Sequence, residues 1–212
     1  MGVVSFKERV CSVVIACATD FKLVFLDYEY LIYSKEFTLQ PYYILTAKSG
    51  NYRHLTGVNS TITPYMFFEK SLNGTLVESD FNFHKTGESE SYTRGVVRNK
   101  IIVLPRLSNF FNGKLIAEEN FKHGKVACTL ATTDNTITIG YEDRIATMPK
   151  SLLRGNELDK TKIVDVNLIL RRSKGSVLFN TILQGDIRDF CKLYPNIFGC
   201  DLNQCKNHFI IT

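Results

Sequence analysis

Apolar residues recur at Phe6, Val10, Val13, Cys17, Phe21, Val24 and Tyr28. Spacings of three and four place them on one buried helical face. Ser5, followed three residues later by Glu8, has the form of a capping box, so a helix is predicted from there to about Asp27. Residues 30–33 and 42–47 read as strands, with Gln40-Pro41 in their connection and Ser49-Gly50-Asn51 as a turn. Thr63 caps a second helix, with Pro64 at its first position and Gly74 just past its end. Tyr65, Phe68 and Leu72 are its expected buried stripe. A third helix is predicted over residues 91–104, stopped by Pro105, with residues 86–92 and 107–113 as loops.

From Lys114 the period changes to two. Val126, Cys128 and Leu130 alternate with polar or small residues, Thr133-Asp134-Asn135 supplies a turn, and Ile137, Ile139 and Tyr141 alternate again, which describes a hairpin. Val164, Val166, Leu168 and Leu170 share one side of a later strand; Asp165, Asn167, Ile169 and Arg171 share the other. Ser173-Lys174-Gly175 turns the chain and residues 177–183 return. Early helices and late antiparallel strands predict an α+β fold, N-terminal helices packed on a C-terminal antiparallel sheet. The expected domain spans residues 1–185, with 186–212 as a C-terminal appendage.

Composition narrows the function classes. The 212 residues include 44% hydrophobic and 12% aromatic side chains, enough for a packed core. A net charge of +5 tilts the partner towards a polyanion. The apolar run at residues 10–18 is too short to cross a bilayer, and the chain reads as cytoplasmic, its six cysteines as thiols. Cys191, Cys200, Cys205 and His208 could wrap one zinc ion, but their spacing departs from CCCH fingers and a metal-free tail is the favoured reading. No Walker A loop, GxGxxG, HExxH or GxSxG motif is present. The pairs Glu118-Glu119 and Glu142-Asp143 read as strand ends, so neither metal nor cofactor is expected.

The densest candidate chemistry is Arg53-His54-Leu55-Thr56-Gly57, lying between a strand and a helix start. An imidazole suits acid–base work near neutrality, and a guanidinium suits phosphate. Gly57 is expected to adopt a left-handed backbone or to permit close approach. Thr56 is a phosphate or His54 partner, or an ordinary turn hydroxyl. Arg171, Arg172 and Lys174 form the densest basic cluster; strand parity makes Arg171 the first choice. His84 is a second-choice acid or base, and His123 a weak phosphate contact.

His54-Leu55-Thr56-Gly57, the aromatic run Tyr65-Met66-Phe67-Phe68, and Pro149-Lys150-Ser151-Leu152-Leu153 occur in that order, followed by the strand pair of residues 163–183. Together they resemble the phage-associated nuclease domains grouped with barnase, EndoU, colicin E5/D and RelE, the fourth such group above all. The resemblance covers roughly residues 20–185. It implies helices packed on an antiparallel sheet, a metal-independent endoribonuclease of phage or toxin type with RNA (tRNA or mRNA) as substrate, and a possible cognate inhibitor protein as partner. It places the acid–base histidine at His54, with Lys150 and Ser151 nearby. Catalytic groups are then His54, Thr56 and Arg171; substrate-binding groups are Arg53, Lys150, Ser151, Arg172 and Lys174. The alternative is a catalytically silent module that binds RNA or protein.

Overall fold

Ser5 starts α1 (Phe6–Phe21): its hydroxyl accepts from the Glu8 N–H at 3.0 Å, and the Glu8 carboxylate accepts from the Ser5 N–H at 3.4 Å. Past Phe21 the helix widens into one π-helical turn, Lys22–Leu26, and ends at Asp27 as the spacing requires. The computed structural model describes residues 4–143, 146–194 and the backbone of 210–211. In chain order the elements continue with β1 (Tyr28–Tyr33), β2 (Tyr42–Leu45), α2 (Asn51–Thr56), β3 (Asn59–Ser60), α3 (Pro64–Leu72), β4 (Phe81–Asn82) and α4 (Glu90–Val103). After a 3-10 helix, Leu104–Asn112, come β5 (Ile116–Glu119), β6 (Lys122–His123), β7 (Val126–Ala127), β8 (Leu130–Thr133), β9 (Ile137–Asp143) and β10 (Thr147–Arg154). The last are β11 (Val164–Asp165), β12 (Leu168–Ser173), β13 (Thr181–Gly185), α5 (Ile187–Leu193) and β14 (Ile210–Ile211).

The fold is α+β. Ten strands form one sheet in the order β11-β5-β8-β9-β10-β2-β1-β12-β13-β14. Its pairs are antiparallel except β10 with β2, which meet at Thr147 and Leu45, and β13 with β14. β1 and β2 sit at the centre of the sheet, so the sheet is not built from the C-terminal half alone. Helices α1, α2 and α4 share the main core with one sheet face: Phe21, Tyr52, Leu55, Val97 and Ile101 join Tyr30, Ile32, Leu45 and Ile139 in one buried cluster. The other face of β1 and β12 is also covered. Leu31, Tyr33, Leu168 and Leu170 pack there with Ile187 and Phe190 of α5, so the described start of the expected appendage lies against the sheet.

Local expectations failed where packing set a different period. Residues 107–113, expected as a loop, belong mostly to the 3-10 helix, because Leu104, Leu107 and Phe110 recur every third position and are all fully buried. The single strand expected over residues 164–171 divides, β11 pairing with β5 and β12 with β1. Residues 177–183 return later than expected: Val177 is 82% exposed and pairing begins at Thr181. On α3 the stripe is Phe67, Phe68 and Ser71, with Leu72 partly buried, while Tyr65 points to solvent.

Tyr52 of α2 is the aromatic hub beneath the site. Its ring lies 5.0 Å from Phe21, 5.6 Å from Phe68 and 6.5 Å from Phe67, and its hydroxyl donates to the Val14 carbonyl at 2.5 Å. Tyr52→Ala is expected to cost about 3–5 kcal/mol by urea unfolding, whereas Tyr52→Phe, which removes only the buried hydroxyl, is expected to cost about 1 kcal/mol.

Candidate active site

Asn51 fixes α2 against the sheet. Its side-chain oxygen accepts from the Lys48 N–H at 2.7 Å, and its side-chain amide donates to the Pro149 carbonyl of β10 at 3.1 Å. Arg53 and His54 therefore fall in the last turn of a short helix, not in the loop that the sequence suggested. Gly57 closes that helix in the left-handed conformation, φ +79°, with its N–H donating to the Arg53 carbonyl at 3.2 Å. The His54 carbonyl is one of the last-turn acceptors that a helix leaves open. Lys100 of α4 fills that need, donating from Nζ at 3.0 Å.

A side chain at position 57 would block this contact. A Cβ placed on Gly57 would lie 2.7 Å from Cδ of Lys100 and 3.3 Å from its Cε. The close approach expected at Gly57 is thus that of the lysine stem. Lys100 is only 9% exposed, and its ammonium has little water around it. Burial, with the charge of Lys85 added, pushes the Lys100 pKa down to about 8. Lys85 is itself lowered, first by burial and also by Arg53, against the opposing effect of Glu88.

His54 stands at the rim of this positive cluster, its ring exposed and without a hydrogen bond to any described side chain. Partial desolvation holds its pKa below the ordinary imidazole value, and the charges of Arg53, Lys100 and Lys85 lower it further, with Glu142 opposing. The ring lines a cleft of about 320 Å³ together with Lys48, Glu142, Met148 and Lys150. Lys150 sits at an irregularity of β10, where pairing with β9 slips between Pro149 and Ser151. Such bulges re-aim side chains. Its Nζ reaches Glu142 at 3.1 Å and the Ala127 carbonyl at 3.2 Å. Ser151 is buried and lines the neighbouring cleft with Lys85 and Lys100.

Expected site residues divide accordingly. His54 and Lys150 line one cleft and Ser151 the neighbouring one; Arg53 lines neither, acting on His54 through its charge, and its Nε is buried with no hydrogen-bond partner. Thr56 does not face this space. It is fully buried and its hydroxyl donates to the Arg53 carbonyl at 2.7 Å, so it closes the helix. Arg171 faces the helix side of the sheet, opposite Tyr30, with its guanidinium 4.6 Å from the Tyr28 ring. The charges acting on His54 do not include it, and no described cleft holds both residues. Arg172 points to the other face, where Glu29 binds it at 2.7 Å, the Val177 carbonyl at 2.8 Å and the Phe179 ring at 4.5 Å. Lys174 donates to the Ala47 carbonyl at 2.5 Å and supports the strand leading to α2.

His84 is largely exposed and lies 3.6 Å from Glu90, and His123 lies 3.3 Å from Glu157. Of the tail residues, Cys191 is on the buried face of α5 in the second cluster, while Cys200, Cys205 and His208 lie outside the described residues. Among the described residues no helix is long and apolar enough to cross a membrane.

Lys85 and Lys100 escaped the sequence reading, and Glu142 was read only as part of an acidic strand end. The signal for Lys100 was present: it follows Thr93 and Val97 on the buried row of α4, a position that a lysine rarely takes without a special reason. Lys85 and Glu142 carried no such mark.

Residues 14–164, more than half of the chain, match the family model described as phage-Barnase-EndoU-ColicinE5/D-RelE like nuclease4. No curated protein and no solved structure matches. The matched span contains every group gathered around His54 and stops before β12, which carries Arg171 and Arg172.

Burying a charge at Lys100 has a stability signature. With a folded pKa of about 8 against roughly 10.4 unfolded, the unfolded chain holds the extra proton between those values. Stability from this group therefore rises with pH across that window, by up to about 3 kcal/mol. Lys100→Met is expected to unfold at higher urea than the parent at pH 7, with the advantage shrinking as pH approaches 10. An unchanged difference between pH 7 and pH 9.5 would contradict the buried charge.

Proposed function

The chain belongs to this phage-type nuclease family, and from that premise we propose that it is a metal-independent endoribonuclease of phage or toxin type. A nuclease domain takes nucleic acid as substrate; the narrowing to RNA rests on the site. What carries the reading is one imidazole that shares a cleft with Lys48 and Lys150 and whose proton affinity is reduced by burial and by the charges of Arg53, Lys100 and Lys85.

Neutral His54 takes the proton from a 2′-hydroxyl, and that oxygen attacks the adjacent phosphorus. A lowered pKa keeps the ring unprotonated at neutral pH, as a base requires. The five-coordinate phosphorus carries added negative charge, which Arg53, Lys85 and Lys150 stabilise electrostatically. Water protonates the departing 5′-oxygen, and Lys100, whose ammonium is buried and bound to the His54 carbonyl, contributes its charge from behind the cleft. The products are a 2′,3′-cyclic phosphate and a 5′-hydroxyl. His54 then returns its proton to solvent. Thr56 serves this chemistry by closing the α2 turn. Cytoplasmic RNA, tRNA or mRNA, is the proposed target.

In EDTA, total RNA is expected to be cut to fragments ending in cyclic phosphate. The rate should rise with pH through a value below 6.5, as His54 loses its proton, and fall through about 8, as Lys100 loses its own. His54→Ala is expected to lower the rate at least about 100-fold. Arg172→Ala should leave kcat within about two-fold. Intact RNA between pH 5 and 8 would leave a nucleic-acid-binding module.

A further inference from the structure

Beside the His54 cleft, between α4 and β10, lies a second cleft of about 410 Å³. The two follow each other along one strand: Met148–Lys150 line the first and Ser151–Arg154 line the second. Lys100 belongs to the second cleft and hydrogen-bonds the His54 backbone behind the first. A phosphate held near His54 therefore has this space next to it along β10.

The walls suit a base. Tyr92 lines the cleft with 51% of its surface exposed, although it stands on the same helix as buried Val97 and Ile101. Over its ring, 5.5 Å from the centroid, sits the ammonium of Lys125, whose side chain is 75% exposed. Lys125, also 3.6 Å from Glu88, is an exposed cation on an aromatic face, a place that a base can take while the ammonium turns to a phosphate. Asn99 and Arg154, both exposed, line the same cleft and offer hydrogen-bonding groups to a base edge. A base inside a recess between a helix and a strand must be unpaired, because a duplex keeps its bases stacked and paired.

Resting on the nuclease reading, we propose that this second cleft seats one unpaired nucleobase of the substrate, stacked on Tyr92, so that the protein acts on single-stranded nucleic acid.

The test uses the full chain and a fluorophore-labelled mixed-sequence DNA hexanucleotide, which lacks the attacking 2′-hydroxyl and so reports binding alone. Its single-stranded form is compared with a hairpin duplex of the same sequence, at one salt concentration. Tyr92→Ala is expected to weaken single-strand binding on the order of ten-fold, and Tyr92→Phe to keep it within about two-fold of the parent. The duplex is expected to bind at least about ten-fold more weakly than the single strand and to ignore both substitutions. Equal binding by parent and Tyr92→Ala, or equal binding of duplex and single strand, overturns the proposal. Binding that depends on Tyr92 in a protein that cuts no RNA supports the base seat and removes the nuclease reading. RNA cleavage with no dependence of binding on Tyr92 does the reverse.

Discussion

The Lys100 ammonium, drawn out of water into the notch left by Gly57, ties α4 to α2. Its stem needs the missing Cβ, and its charge needs an acceptor. The last turn of α2 supplies that acceptor as the open carbonyl of His54. One contact thus fixes the helix that carries the imidazole and places a positive charge close to it. A buried ammonium is costly, and methionine would fill the same space without that cost. Keeping lysine there makes sense where the charge acts on something outside the core.

Several neighbours add to the same field. Arg53 precedes His54, Lys85 comes from the loop before α4, and Lys150 is turned by the irregular pairing of β10. The charges of Arg53, Lys100 and Lys85 depress the proton affinity of His54, and that of Lys85 depresses Lys100, in each case after burial itself. An anion entering this space relieves that repulsion. In the proposed nuclease, the positive charge that costs stability is what binds the phosphate. Glu142, at the edge of the cleft, moderates the field without cancelling it.

Much of the fold was legible in local sequence. The Ser5 cap, the Thr63-Pro64 helix start and the hairpin around Asp134 follow from residue chemistry within a few positions. The order of the sheet did not, because the centring of β1 and β2 between β10 and β12 depends on contacts far apart in the chain. Within the site, His54 and Gly57 stood out through their residue types. Arg171 was attractive by strand parity, and it does lie on the face opposite Leu168 and Leu170. Parity gives a face but not a position along that face, and Tyr28 meets the guanidinium there. Arg172, expected to bind substrate, is an ion-pair partner of Glu29. Lys100 was the reverse case, a charged residue hidden in an apolar helical row.

The most direct measurement is the titration of His54 followed by its ring proton resonances in the parent and in Lys100→Met. The midpoint is expected below 6.5 in the parent and closer to 6.5 in the variant, because one of the charges that repel the imidazolium is gone. A parent midpoint at or above 6.5, or one that Lys100→Met leaves unmoved, would contradict the coupling between the buried ammonium and the imidazole.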